Sequence, residues 1–200
     1  MKYSDINGVT IPEPESYKDC VELVRSDYYR ICGYRISSPL KLWLYHFKSP
    51  ALGFLFYYRL CKYRGLLWPY LRLRMEKYKR KYAFQIPLSA RIGYGLYLGH
   101  DTSVIINGSA VIGNNVNLSQ FTTIGSIKAS AATIEDEVYI GPSVCVVEQV
   151  RIGRRAMIGA GAVVTHDIPS GCSAAGVPAK VVNDSADYSP FNPYPLPTAR

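Results

Sequence analysis

The sequence predicts a parallel β-helix that follows an N-terminal helical domain. An aliphatic residue recurs every six positions across 86–168, and glycine often comes directly after it. Neither the 3.6-residue period of a helix nor the two-residue period of a strand produces this spacing. A coil of three short strands does, because each strand then turns one aliphatic side chain inward and a tight corner follows. Successive coils are expected to stack about 4.8 Å apart.

The segment before the repeats is predicted to be helical. Ser16 can cap a helix that runs to about Arg30, and Pro39 can begin a second helix that runs toward Tyr63. Residues 66–81 carry apolar side chains at spacings of three and four, which indicates a third helix.

The repeat is interrupted twice. Two extra residues lie between 98 and 106, and the segment SIKASAAT at 126–133 supplies further extra residues, so a loop must leave the prism there. The aliphatic positions on the six-residue step are Ile86, Ile92, Leu98, Ile106, Ile112, Leu118, Ile124, Ile134, Ile140, Val146, Ile152, Ile158 and Val164.

Three regions follow from this pattern. Residues 1–84 form the helical domain, 85–183 form the β-helix, and 184–200 are a proline-rich tail that we expect to be extended or mobile. A chain of 200 residues has room for one sizeable core and a modest appendage.

Composition excludes several classes of protein. With 48% apolar and 19% charged residues, the chain is neither disordered nor an integral membrane protein. We see no secretory signal, and the most apolar stretch, 51–58, is too short to cross a bilayer. The 5 cysteines contain no CxxC pair, which favours reduced thiols over disulfides or a zinc site. A cytoplasmic location is therefore expected.

The positive charge is concentrated in the helical region. Residues 28–84 hold 13 basic residues and one acid, Glu76, together with both tryptophans. This mixture suits peripheral contact with an anionic membrane surface, or a subunit interface with a solvated basic face. No nucleic-acid-binding module is present in the sequence, so nucleic acid is not an expected partner.

The three histidines of the chain have different surroundings. His46 lies among aromatic residues, where a packed structural role is expected, and His166 falls in the turn that closes the last repeat. His100, in YLGHDTS, follows an aliphatic residue and a glycine. Its side chain should therefore point outward near a corner of the prism.

Between Gln85 and Val182 the sequence resembles a known family. The stretches IPLSARIGYGLYLGH, SAVIGNNVNLSQFTTIG, VYIGPSV, IGAGAVV and AAGVPAKVV are similar to the hexapeptide-repeat acyltransferases, in the serine acetyltransferase branch with its sugar O-acetylating relatives. The resemblance implies a left-handed β-helix, a homotrimer or a dimer of trimers, and acetyl-CoA as co-substrate, with no metal.

The resemblance also assigns candidate site residues. It implies that His100 is the general base acting on an acceptor hydroxyl, since a neutral imidazole can take a proton near neutral pH. Gln85 stands where the family has an orienting aspartate. Gln85, a backbone carbonyl, or Asp101, which directly follows His100, is therefore expected to orient the ring. Candidate coenzyme A contacts, the last of them for a phosphate, are Thr123, Gly125, Ala160, Gly161, Gly176 and Lys180.

Departures from the family pattern bear on the acceptor. Gln85 replaces one family aspartate. Gly99 replaces a second, the ammonium-binding aspartate directly before the histidine, and the inserted loop has no histidine. An ammonium group without carboxylate partners would lose charge-assisted hydrogen bonds. The sequence therefore predicts a neutral acceptor. The helical segment FKSPALGFLFYYRLCKYRG resembles the corresponding helices of capsule- and exopolysaccharide-type O-acetyltransferases. That resemblance implies a sugar of a polysaccharide or lipid-linked glycan as the acceptor, modified at the inner membrane face. Serine O-acetylation in cysteine biosynthesis and a non-catalytic repeat scaffold remain the alternatives.

Overall fold

The computed structural model describes residues 1–127, 130–192 and 194–196. It begins with a hairpin of β1 (Lys2–Ile6) and β2 (Val9–Glu13). The helices are α1 (Tyr17–Cys32), α2 (Pro39–Tyr45), α3 (Pro50–Leu60) and α4 (Trp68–Tyr82). The following strands are β3 (Phe84–Gln85), β4 (Arg91–Ile92), β5 (Tyr97–Leu98), β6 (Val104–Ile106), β7 (Val111–Ile112), β8 (Asn117–Leu118), β9 (Thr123–Gly125), β10 (Thr133–Ile134), β11 (Tyr139–Ile140), β12 (Cys145–Val147), β13 (Arg151–Ile152), β14 (Met157–Ile158), β15 (Val163–Val164), β16 (Ser173–Ala175) and β17 (Lys180–Asn183).

The strands from β3 onward form a three-sided prism. Its first face contains β3, β6, β9, β12 and β15, its second face β4, β7, β10 and β13, and its third face β5, β8, β11, β14 and β16, all in parallel register. Strand β17 adds to β16 in the antiparallel direction. Every aliphatic residue of the six-residue step is buried inside the prism. The predicted fold class, a left-handed parallel β-helix with an N-terminal helical domain, is confirmed.

The helical region contains one more break than the sequence predicts. The side chain of Ser16 caps α1 by accepting a hydrogen bond from the Asp19 amide. The predicted second helix is in fact two, α2 and α3, with extended backbone at Ser49 between them. Pro50 explains the break, because proline disfavours helical backbone at the residue before it.

The N-terminal hairpin covers the second face of the prism, a contact that the sequence analysis did not predict. Val9 and Ile11 of β2 form a small buried cluster with Val111 of β7. The Asn7 side chain donates a hydrogen bond to Thr133 Oγ1 at 3.1 Å. The second face is therefore covered by the chain's own N-terminus.

The two irregular segments behave differently. The inserted loop leaves the prism between β9 and β10, and Ile127 within it is 97% exposed; Lys128 and Ala129 lie outside the described residues. The tail departs from expectation, because residues 188–192 and 194–196 fold back against the third face, with a single 3₁₀ turn at Ser189–Phe191. Pro193 and residues 197–200 lie outside the described part.

No helix in the described ranges is both long enough and apolar enough to cross a membrane.

A buried ion pair joins the helical domain to the first coil of the prism. Arg59 of α3 binds the carboxylate of Asp27 in α1 through two hydrogen bonds of 2.7 and 2.9 Å, and both side chains are fully buried. The same guanidinium donates to the carbonyl oxygens of Ile92 and Gly93, while Asp27 accepts from the amide of Leu96. Each charged group is therefore compensated, which a buried ion pair requires.

We expect Asp27→Asn to lower the free energy of unfolding by about 3–5 kcal/mol, because it leaves the buried Arg59 without its counter-charge. Urea denaturation followed by circular dichroism measures the change. Glu22→Gln is the matched control, since Glu22 pairs with Arg25 and Arg35 near the surface and such pairs contribute about 1 kcal/mol or less. Equal losses in the two variants would contradict the role assigned to the buried pair.

Candidate active site

His100 lies at the corner where the chain passes from the third face to the first face, between β5 and β6. Leu98, two residues earlier, points into the prism and is buried, whereas His100 is exposed. The side chain therefore stands outside the prism, as the six-residue step predicts.

A cavity of about 320 Å³ opens beside His100. Three separate parts of the chain form its walls: the third face, the end of α1 and the C-terminal residues. Its lining residues are Arg30, Ile31, Tyr97, Gly99, His100, Asn117, Ser119, Tyr139, Pro190, Phe191 and Tyr194. The histidine thus lines a partly open cavity that is large enough for a small acceptor molecule.

The third face supplies the floor of this cavity. Tyr97, Asn117 and Tyr139 occupy the same register position on three successive coils, so their side chains project outward in one column. The Asn117 side chain accepts a hydrogen bond from Arg30 and donates one to the carbonyl oxygen of Phe191. One amide therefore links all three walls.

The C-terminal segment (residues 188–192 and 194–196) forms the outer wall. The Phe191 ring packs on Tyr139 with 4.5 Å between ring centroids. The buried Tyr188 hydroxyl donates to the carbonyl oxygen of Asn115 at 2.9 Å, and burial raises the pKa of this phenol. The Asn115 side chain donates to the Leu196 carbonyl at 2.7 Å and accepts from the Leu196 amide at 3.1 Å. These contacts hold Phe191 against the third face.

Arg30 contributes the permanent charge at this cavity. Its side chain is 2% exposed, donates to the Gly95 carbonyl at 2.9 Å, and lies 5.9 Å from the ring centroid of Tyr97. Burial is the main reason why its pKa lies below the usual arginine range, but a guanidinium stays protonated at neutral pH. None of the described lining residues carries a carboxylate. The cavity therefore favours an anionic group on its ligand.

The two residues expected to orient His100 lie at different places. Asp101 accepts a hydrogen bond of 2.9 Å from the Ala51 amide, at the start of α3, where helical N–H groups need partners. Gln85 is exposed on the first face, in register with Ile105. Within the described residues, neither side chain is hydrogen-bonded to His100, so their orienting role stays a prediction.

Three of the predicted coenzyme A contacts lie on the same corner of the prism as His100. Ala160 and Gly161 follow β14 and Gly176 follows β16, so the first two are three coils from His100, about 14 Å at the usual strand spacing. Gly161 has φ +70°, and a Cβ atom there would meet no atom within 4 Å. The corner is open toward solvent and has room for an extended chain.

The other predicted contacts lie on neighbouring strands. Thr123 and Gly125 are the ends of β9 on the first face, and Lys180 is exposed at the start of β17. The small side chains leave room for an extended donor, and the exposed cation can pair with a phosphate of that donor. The role of each of these residues stays a prediction.

The remaining histidines have the surroundings that the sequence predicts. His46 is buried among aromatic rings including Phe56 and Tyr57, and this burial lowers its pKa. His166 is exposed and lies 2.9 Å from the Thr165 hydroxyl. In the described ranges no three His, Cys, Asp or Glu side chains are grouped so that they could hold a metal ion.

Sequence reasoning missed most of the cavity wall. Arg30 and Phe191 carry no motif and are 161 positions apart in the numbering, so nothing local indicates that they meet. A signal did exist for Tyr97, Asn117 and Tyr139, because each directly precedes an aliphatic residue of the repeat. Counting coils from those positions would have placed all three beside His100.

Comparison with known proteins is consistent with this architecture. Residues 131–166 match the family model described as bacterial transferase hexapeptide (six repeats). Serine acetyltransferase from Escherichia coli is 37% identical over 105 residues, which cover 50% of this chain and 38% of that protein. The Bacillus licheniformis serine acetyltransferase is 33% identical over 141 residues, covering 60% and 65%. The structure of Neisseria gonorrhoeae serine acetyltransferase in complex with serine superimposes with a TM-score of 0.61 at 31% identity, covering 82% of this chain and 69% of that one.

The chain belongs to the hexapeptide-repeat transferases, in the branch that contains the serine acetyltransferases. It spans less than two thirds of the length of these two curated relatives. The predicted sugar or lipid-linked glycan acceptor, and with it a role in polysaccharide biosynthesis, is wrong: the relatives are serine acetyltransferases, and one of the similar structures contains serine. The prediction was wrong because it took the absence of the family's carboxylates as evidence against an amino acid. Other side chains can also bind an amino acid.

Proposed function

We propose that this protein transfers an acetyl group from acetyl-CoA to the hydroxyl group of serine, with His100 as the general base. The observation that carries the proposal is the position of His100, exposed at the rim of a cavity and on the same corner as an open row of small residues. The names of the relatives, serine acetyltransferases, support the choice of donor and acceptor.

The chemistry assigned to His100 is proton transfer. As the serine oxygen attacks the thioester carbonyl of acetyl-CoA, the imidazole accepts the hydroxyl proton, which makes the oxygen a competent nucleophile. The tetrahedral oxyanion requires N–H donors, for which backbone amides at a prism corner are suited. Its collapse breaks the carbon–sulfur bond, and the proton goes to the leaving thiolate, so the products are O-acetylserine and coenzyme A.

The cavity wall can bind serine without the family's carboxylates. The guanidinium of Arg30 provides positive potential for the serine carboxylate. The rings of Tyr97, Tyr139 and Phe191 can hold the ammonium group through cation–π interactions. This arrangement replaces charged partners by aromatic faces, which are individually weaker than carboxylates as partners for an ammonium group.

The functional unit in this proposal is a homotrimer. The hairpin covers the second face, and α1 with the C-terminal segment covers the third, but the first face presents a column of uncharged side chains, Gln85, Ile105, Thr123, Cys145 and Val163. Packing of a second prism on this face would create a cleft that runs along the corner of His100. Such a cleft is a suitable path for coenzyme A.

We expect His100→Ala to lower kcat by 10²–10⁴-fold, the usual contribution of a general base. The measurement is serine-dependent release of the coenzyme A thiol. His166→Ala, which changes an exposed histidine away from the cavity, should retain wild-type kcat. If the wild-type protein releases no thiol in the presence of serine, the proposed function fails and a non-catalytic scaffold becomes the better interpretation.

We expect Phe191→Ala to raise the KM for serine roughly tenfold, since one aromatic contact contributes about 1 kcal/mol or slightly more. The KM for acetyl-CoA should stay unchanged, because the donor binds along the other side of the corner. Phe47→Ala, an exposed phenylalanine on the helical domain, is the control. Equal increases in both KM values would show that Phe191 supports the fold and not the acceptor.

We expect Ile105→Asp to convert a trimer into monomers in sedimentation velocity experiments. In the trimer a second prism would cover the middle of the first face, and burying an unpaired charge there is costly. Val182→Asp, on the exposed strand β17, should leave the trimer intact. A wild-type protein that sediments as a monomer at micromolar concentration would contradict the trimer.

A further inference from the structure

Two helices expose a group of large apolar side chains that the proposed function does not use. Leu40, Trp43, Leu44 and Phe47 lie three or four residues apart along and just after α2, so they share its outer side; the same spacing relates Leu66, Tyr70 and Leu73 around the start of α4. Their exposure is high, at 95% for Leu66, 71% for Leu73 and 65% for Leu40. We call the following residues the helical apolar surface: Leu40, Trp43, Leu44, Phe47, Leu66, Leu67, Tyr70 and Leu73.

The end of α2 and the middle of α4 contact the same ring of α3, that of Tyr57. His46, at the end of α2, lies edge-on to Tyr57 with 5.4 Å between centroids, and the guanidinium of Arg74 in α4 lies 5.4 Å from the centroid of Tyr57. The Trp43 and Phe47 rings contact each other at 5.3 Å. The helical apolar surface therefore lies on two helices that contact the same part of α3.

Exposed cations lie on the same helices and in the loops next to them. The single acid between residues 28 and 84, Glu76, is already paired with Arg72 at 2.8 Å and Lys79 at 3.2 Å. Among the exposed basic residues of α2, α4 and the adjoining loops are Lys41, Lys48, Arg64, Lys77, Arg80 and Lys81. The surface thus combines apolar side chains with an excess of positive charge.

We propose that the helical apolar surface binds an anionic lipid bilayer peripherally. Leucine and aromatic side chains can enter the boundary between headgroups and acyl chains, while lysine and arginine remain at the level of the anionic headgroups. A second copy of this chain is a less favourable partner for this surface. Two such surfaces facing each other would place like charges opposite each other. The proposal does not depend on the acetyltransferase activity.

Sedimentation with vesicles tests the proposal on the full chain. We expect binding to vesicles of phosphatidylcholine and phosphatidylglycerol in equal parts, weaker binding at high salt, and little binding to phosphatidylcholine alone. Lys77→Gln with Lys81→Gln should weaken binding roughly thirtyfold, since each of the two cations near an anionic surface contributes about fivefold. Lys2→Gln with Lys18→Gln is the matched control and should bind as the wild type does, since both lysines are exposed on other elements.

The apolar contribution has its own pair of variants. Trp43→Ser with Phe47→Ser and Leu73→Ser should reduce binding at least tenfold. Ile127→Ser with Val177→Ser and Val182→Ser should not, although these three residues are more exposed as a group, because they lie outside the helical domain. Thermal unfolding of each variant verifies that the fold is retained. Absence of wild-type binding to anionic vesicles overturns the proposal. A second result also overturns it. In that result, the three substitutions at Trp43, Phe47 and Leu73 leave vesicle binding unchanged but abolish self-association of the protein.

Discussion

The ion pair between Arg59 and Asp27 determines how the helical domain sits on the prism. Both groups are removed from water, so neither can leave its partner without a large loss of free energy. The same two side chains also bind backbone groups of the first coil, which fixes α1 against the third face. Arg30 lies one helical turn after Asp27, and its position beside the cavity therefore depends on the same pair.

The cavity beside His100 belongs to the whole chain and not to the repeats alone. The prism provides the histidine and a column of outward side chains, α1 provides Arg30, and the C-terminal segment provides Phe191. Asn117 connects these parts through hydrogen bonds to both Arg30 and the Phe191 carbonyl. A repeat fold that is open along its faces thus acquires a walled cavity through the segments that precede and follow it.

The identity of the acceptor does not follow from the absence of the family's aspartates. Loss of the family's aspartates, at Gln85 and Gly99 among others, argued for a neutral acceptor, and the relatives contradict that conclusion. The argument assumed that an ammonium group needs carboxylates at those positions. In the folded chain, aromatic rings and a guanidinium surround the cavity, so recognition of an amino acid can rest on different residues.

The sequence by itself determined the β-helix, the insertion after β9 and the outward position of His100 at a corner. A strict period of six dictates which side chains point inward, and this information is local. It did not determine the break at Pro50, the hairpin on the second face or the fold-back of the C-terminal segment. Tertiary structure decided those features and the cavity they complete, because Arg30, Asn117 and Phe191 meet only through packing between distant segments, which no local period encodes.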